Sequence, residues 1–137
     1  RYYTSLQEKV RANDLEEIVI FAGGVPQKEI LSYLCAADVF ANPSVTGSLD
    51  KAGVEALAAG VPVVTCNEAF KGVLGAYADR LMFPHGDAQS LADRICVLHR
   101  APDRRAVADA LAETVRREHG VESLIPRILS VITSSAV

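Results

Sequence analysis

Residues 42–65 read NPSVTGSLDKAGVEALAAGVPVVT, and the fold turns on how this stretch is parsed. The apolar run 37–41 in front of it is predicted to be a short strand. A loop of small and polar residues then opens a helix, which stops at Gly60-Val61-Pro62. Val63-Val64-Thr65 is β-branched and reads as a central parallel strand. Strand, helix and strand in this order predict an α/β fold, a parallel sheet flanked by helices. In such open sheets a ligand sits beyond the carboxyl ends of the strands, where a helix amino terminus points at it. The first backbone N–H groups of that helix have no partner inside it, and the macrodipole adds partial positive charge. Thr46, Gly47 and Ser48 supply hydroxyls and a close backbone approach, so an anion such as a phosphate is the expected guest.

The helix itself carries Val54, Ala56, Leu57, Ala58 and Ala59, apolar on nearly every side, and is expected to be well buried. Glu55 among them would then be a buried carboxylate that needs a partner. Lys51 lies four residues earlier on the same face, near the expected anion, with Glu55 ~6 Å deeper along the axis. A nucleotide whose diphosphate met the helix start would bring its ribose hydroxyls towards Glu55. A simple i,i+4 ion pair between Lys51 and Glu55, in the less favourable order and worth a few tenths of a kcal/mol, fits the same spacing.

Around this centre the chain reads as a succession of short elements. Residues 4–12 form an amphipathic helix with Leu6 and Val10 on one face, and residues 17–21, EIVIF, a short buried strand. Gly23-Gly24-Val25-Pro26 turns into a helix over 27–36 with Ile30, Leu31 and Leu34 inward and Tyr33 packing. Ser44 and Thr46 are either donors to ligand oxygens or caps of the loop backbone. Asn67 and Glu68 follow the Val63–Thr65 strand, and residues 80–83 form a last short strand. Asp87 caps a helix over 88–99 with Leu91, Ile95 and Leu98 inward. A further helix begins at Pro102 or Asp103 and ends at Gly120, and the last, over 122–132, meets Pro126 early.

With 137 residues and 50% hydrophobic content the chain suits one compact domain, its core at about 17–98 and its terminal helices at about 102–135. A net charge of -3 with mixed signs argues against nucleic acid as a partner. The arginines from Arg100 to Arg117 alternate with Asp103, Asp109 and Glu113, the pattern of a solvated helix face. Cys35, Cys66 and Cys96 lack a C-x-x-C pair and are expected to be reduced core thiols in a cytoplasmic protein. No apolar run approaches the ~20 residues of a membrane span, and no signal-peptide pattern is present. His85, His99 and His119 lack the spacing of a helical metal site, so no metal is expected.

The blocks IVIFAGGVPQKEILSYLCAADVF and ADVFANPS…VEALAAGVPVVT, over about residues 17–98, resemble the nucleotide-sugar half of group 1, family 4-like glycosyltransferases. The resemblance implies the GT-B architecture, two Rossmann-like domains facing across a cleft, and a retaining transfer from a nucleotide diphosphate sugar. That donor would be a substrate, and no cofactor is implied. It also implies that the chain is part of a longer enzyme, inactive alone, whose acceptor domain and first donor-domain strand lie elsewhere, with membrane contact only through a lipid acceptor. In that family the later of two glutamates holds the donor ribose and falls on Glu55, and the glycine loop implicates Val25 at the base. The earlier glutamate, at the donor sugar, falls on Gly47, and Asp50 and Lys51 fill the loop instead. The catalytic residues are therefore left unassigned. A non-catalytic nucleotide-sugar-binding module, or another GT-B enzyme such as a nucleotide-sugar epimerase, fits the same blocks. Terminal helices in this architecture often brace the other domain, which predicts exposed apolar residues when it is absent.

Overall fold

In the computed structural model, which describes residues 1–134, the chain divides into two compact units, residues 1–30 and 31–137. In the first unit α1 (Tyr2–Ala12) ends at Asn13, whose Nδ2 donates to the Lys9 carbonyl at 2.7 Å. Tyr3 meets the Phe21 ring edge-on at 5.3 Å. The expected strand over 17–21 does not form. Ile18 N–H and Val19 N–H instead turn back to the Leu15 carbonyl, and Ile18 and Ile20 are exposed. A β-branched run has strand propensity only where a neighbouring strand completes its hydrogen bonds, and none pairs with it among the described residues.

α2 (Gln27–Ala36) has the predicted bounds, but Leu34 is its buried residue while Leu31 and Tyr33 are exposed, against expectation. In the second unit β1 (Phe40–Asn42), α3 (Lys51–Ala58) and β2 (Val63–Thr65) form a strand–helix–strand crossover. The strands pair in parallel, with Phe40 opposite Val63, Ala41 opposite Val64 and Asn42 opposite Thr65. This is the parallel α/β arrangement that residues 42–65 predict. β2 is buried on both faces, as its unbroken β-branched run requires. The strand expected over 80–83 shrinks to one parallel bridge, Met82 to Thr65, because α5 (Ala78–Leu81) takes its first residues. Between β2 and α5 the chain makes a short helical turn over Glu68–Phe70, α4 (Lys71–Leu74) and another turn over Gly75–Tyr77.

α6 (Ala88–Arg100) starts at Asp87, which accepts from Ser90 N–H at 2.9 Å as the cap predicted from sequence. α7 (Arg104–His119) buries Val107, Leu111 and Val115, and packs against α3. Asp103 does not cap it: its carboxylate takes both guanidinium nitrogens of Arg80, at 2.8 and 3.0 Å. That pairing holds the Asp103 carboxyl below, and the Arg80 guanidinium above, its ordinary pKa. Gly120 closes α7, though with φ at -68° rather than in the left-handed region usual for such a glycine. A Cβ there would stand 2.4 Å from the Arg116 carbonyl oxygen, so close approach is what demands glycine. α8 (Val121–Ser134) runs through Pro126 and buries none of its residues, leaving Leu124, Ile125, Ile128 and Ile132 exposed.

The core lies between the strand pair and the helices, with Leu57, Val63, Val64, Phe70, Leu74 and Leu111 almost wholly buried. Each such side chain contributes ~1.5–3 kcal/mol by leaving water. α3 is less buried than expected: Gly53, Ala56 and Leu57 face inward, but Ala52 lies open and Glu55 keeps 39% of its side chain exposed. Alanines cover little area, so an apolar sequence here leaves one face wet. Of the cysteines only Cys66 is buried; Cys35 and Cys96 are exposed on helices, contrary to a core role.

The tightest approach in this core is at Gly53, where a Cβ would lie 2.6 Å from Cζ of Phe70. The Phe70 ring is fully buried and cannot swing aside. Gly53→Ala should therefore destabilise the protein by ~1–3 kcal/mol, as over-packing does, despite the better helix propensity of alanine. Urea denaturation checks it, and Phe70→Leu in the same chain should recover part of the loss.

Candidate functional site

The β1–β2 register brings two loops together at the carboxyl edge of the sheet: residues 43–50, which lead into α3, and residues 66–70, which follow β2. Their meeting point is the Asp50 carboxylate. It accepts from Ser44 Oγ, from Asn42 Nδ2 at 2.9 Å, from Thr46 Oγ1 at 3.0 Å and from Asn67 Nδ2 at 3.1 Å. Asn67 also donates to the Ser48 carbonyl at 2.8 Å, and its Oδ1 accepts from Ala69 N–H. Asn42 Oδ1 accepts from Ser44 N–H, and Cys66 Sγ lies 3.6 Å from the Ser44 carbonyl. Asn42 and Asn67 are both buried.

These donors, led by Ser44 and then Asn42 and Asn67, hold the Asp50 carboxyl at about 2, against its ordinary 3.8. Hydrogen bonds to a charged form favour it. Asp50 stands at the N-cap of α3, yet its side chain makes no cap hydrogen bond to the helix. The amino end of α3 is thus left uncapped by the residue best suited to cap it.

Of the residues nominated from sequence, the structure gathers Thr46, Gly47, Ser48 and Asp50 in this one loop, with Lys51 beginning the helix. Thr46 turns its hydroxyl inward to Asp50 and the Ser48 carbonyl, the backbone-capping alternative, and Ser44 does likewise. Ser48 and Gly47 are exposed, and Gly47 has a positive φ of 74° that favours glycine. Lys51 Nζ lies 3.4 Å from Glu55 Oε1, so the i,i+4 ion pair is present, and Glu55 is half-exposed rather than buried as expected. Val25 belongs to the first unit, where it is half-buried.

Asn42 was not singled out from sequence, and Asn67 only as a residue following the Val63–Thr65 strand. The signal was present in retrospect: an asparagine ends β1 beside Thr65, and another follows β2 by two residues. A groove of 560 Å³ lies near the same edge, lined by Glu68, Lys71, Met82, Phe83 and Arg94.

A family model described as group 1 glycosyl transferases matches residues 2–101. A glycosyltransferase assigned to colanic acid biosynthesis in Escherichia coli (strain K12) is 32% identical over 119 residues, 82% of this chain and 28% of that protein. The amylovoran biosynthesis glycosyltransferase AmsK of Erwinia amylovora is 35% identical over 94 residues, 64% of this chain and 23% of its own length. A GDP-mannose-dependent monoacylated alpha-(1-6)-phosphatidylinositol monomannoside mannosyltransferase of Corynebacterium glutamicum is 30% identical over 142 residues, 98% of this chain and 37% of its own. The chain therefore spans between 23% and 37% of the length of these relatives. No solved structure matches it.

The Asp50 cluster has a pH signature. Its carboxyl pKa is lower folded than unfolded, so its contribution to stability is complete above pH 3.8 and is lost as the pH falls through about 2. The Asp50 carboxyl carbon, followed by NMR, should titrate near 2; a midpoint at the ordinary value of ~4 would show that the cluster does not hold it.

Proposed function

The chain belongs to the group 1 glycosyltransferases, and from that membership we propose that it is the donor-binding part of a retaining enzyme of GT-B architecture. The full-length protein would move a sugar from a nucleotide diphosphate sugar to an acceptor bound by another domain, and this part alone would be inactive. Cytoplasmic action goes with this reading, because nucleotide-activated donors are met there. Among the described residues no helix is long and apolar enough to cross a membrane; on this reading a lipid acceptor is the route by which the enzyme meets one.

One observation carries the proposal. At the carboxyl edge of a parallel strand pair, an eight-residue helix presents an amino end that its own N-cap aspartate leaves uncapped. The donor diphosphate is assigned to those N–H groups, with Ser48 and the backbone at Gly47 beside it and Lys51 as counter-charge. As the glycosidic bond breaks, charge grows on the leaving diphosphate, and fixed dipoles and the lysine stabilise it without reorganising. Glu55, one turn further in, accepts the ribose hydroxyls. The ion pair with Lys51 does not oppose this role, since it leaves Glu55 39% exposed.

A binding module without catalysis is the second reading, and Gly47 is the observation that favours it. A glutamate placed there to meet the donor sugar would have to adopt a φ of 74°, which side chains resist by ~1–2 kcal/mol. Turnover of a nucleotide sugar by the full-length protein separates the two readings.

Titration with GDP, UDP and ADP tests the site, GDP first because the corynebacterial relative's name specifies GDP-mannose. Glu55→Ala should weaken nucleoside and nucleoside diphosphate alike by roughly tenfold. Lys51→Ala should weaken the diphosphates several-fold and leave nucleosides unchanged. Wild-type affinity in Glu55→Ala would remove the ribose assignment.

A further inference from the structure

We infer that the 560 Å³ groove beside the Thr65–Met82 bridge is a sugar site. Its Glu68 and Asp79 carboxylates accept from ring hydroxyls, Lys71 and Arg94 donate to them, and Met82 and Pro84 carry the C–H face of the ring. The groove does not depend on the donor-binding reading, which bears only on whether the sugar arrives on a nucleotide or in a glycan.

Position favours a ligand here. Met82 pairs in parallel with Thr65, so Phe83 and Pro84 lie beyond the carboxyl end of the sheet, and Glu68 opens the helical turn that follows β2. Open α/β sheets take their ligands at this edge. Asn67, the neighbour of Glu68, donates to the Ser48 carbonyl, which sets the Glu68 end of the groove beside the loop over residues 43–50. The volume falls within the ~300–1,000 Å³ of small-molecule sites.

Unused charge indicates which ligand. Four charged side chains line the groove from four elements: Glu68 from the turn before α4, Lys71 from α4, Asp79 from α5 and Arg94 from α6. Opposite charges elsewhere in this unit close on one another, as Arg80 does on Asp103 and Arg104 on Asp38. Among the described residues, none of the four around the groove makes an ion pair or a side-chain hydrogen bond. Carboxylates only accept, and ammonium and guanidinium groups only donate. A ligand that satisfies both kinds must donate and accept at once, and a hydroxyl is the simplest group that does. Vicinal hydroxyls repeat the pattern around a sugar ring. Two negative and two positive charges also cancel, so neither a phosphate nor an amine gains from the groove as a whole.

Between the charged groups the lining is apolar. Ala78 and Phe83 are buried and Met82 is half-buried. A sugar ring sets C–H groups on its faces and hydroxyls at its rim, and methionine adapts its shape to what it packs against.

The test uses the full-length protein and its Glu68→Gln and Asp79→Asn variants, both at exposed residues. GDP, GDP-mannose, UDP, UDP-glucose and the methyl glycosides of glucose, mannose and galactose are titrated, with the Met82 methyl signal followed by NMR. At least one sugar-bearing probe should shift that signal. Each variant should weaken that probe about tenfold while leaving GDP and UDP within about twofold of wild type. Loss confined to a nucleotide sugar would assign the groove to the sugar of the donor, and loss confined to a glycoside would assign it to a glycan; either supports the inference. Sugar-bearing probes that leave the Met82 methyl unmoved, or that bind both variants as they bind wild type, would overturn it. Equal weakening of GDP and GDP-mannose would show a merely structural effect and overturn it as well. Failure of the wild-type protein to bind GDP or UDP, with a glycoside still shifting the Met82 signal, would remove the donor reading and leave the groove standing.

Discussion

The parallel pairing of two three-residue strands is the constraint on which the rest of the second unit depends. Parallel strands cannot be joined by a tight turn, so the chain must cross over, and α3 is that crossover. The pairing register then decides what meets at the carboxyl edge. With Asn42 opposite Thr65, the residues just beyond each strand face one another, and Asn67 comes within reach of the loop that began at Pro43. A slip of one residue would turn Asn42 to the other face and take away one of the donors around Asp50.

The same pairing explains the close packing of α3. The helix must lie against the strands from which it departs, and the Phe70 ring fills the space between it and the segment after β2. Gly53 is the point where helix and ring come nearest. Leu57 and Ala56, one turn on, complete the buried face, and α7 closes over it. Arg116 of α7 reaches the Ala58 carbonyl at 2.6 Å, placing a cation at the carboxyl end of α3 where the dipole favours it. The helix is thus tied down at its far end and left open at its near one.

The strand–helix–strand centre was legible in the sequence because every local signal there agreed: a β-branched run, a glycine–proline stop and a small-residue loop. The bounds of α2 and the cap at Asp87 were legible for the same reason. What failed was whatever depended on a partner. Residues 17–21 have the composition of a strand but no neighbour to pair with, and residues 80–83 lost most of a strand to a helical turn. Burial was overestimated where apolar residues are small, as on α3, or where a helix is single-faced, as at Leu31, Tyr33, Cys35 and Cys96. At the site, residue types pointed to hydroxyls and amides able to bind an anion. They did not reveal that Asp50 already satisfies most of them, because side-chain direction is a tertiary property.

That satisfaction changes what the helix start can do. A loop whose hydroxyls were free would offer a ligand Ser44 and Thr46 directly; here those groups are spent, and what is left over is the Ser48 hydroxyl, backbone and charge. Backbone N–H groups bind any anion of the right size, so under the donor-binding proposal discrimination among nucleotides would fall to contacts other than these. The Lys51–Glu55 pair is consistent with that division. With side chains 76% and 39% exposed, it is an ion pair in water, worth no more than a few tenths of a kcal/mol in this order along a helix. Either partner can therefore be drawn away at little cost, the lysine by a phosphate and the carboxylate by a pair of hydroxyls. An ion pair this weak holds both side chains near the helix surface and opposes neither assignment.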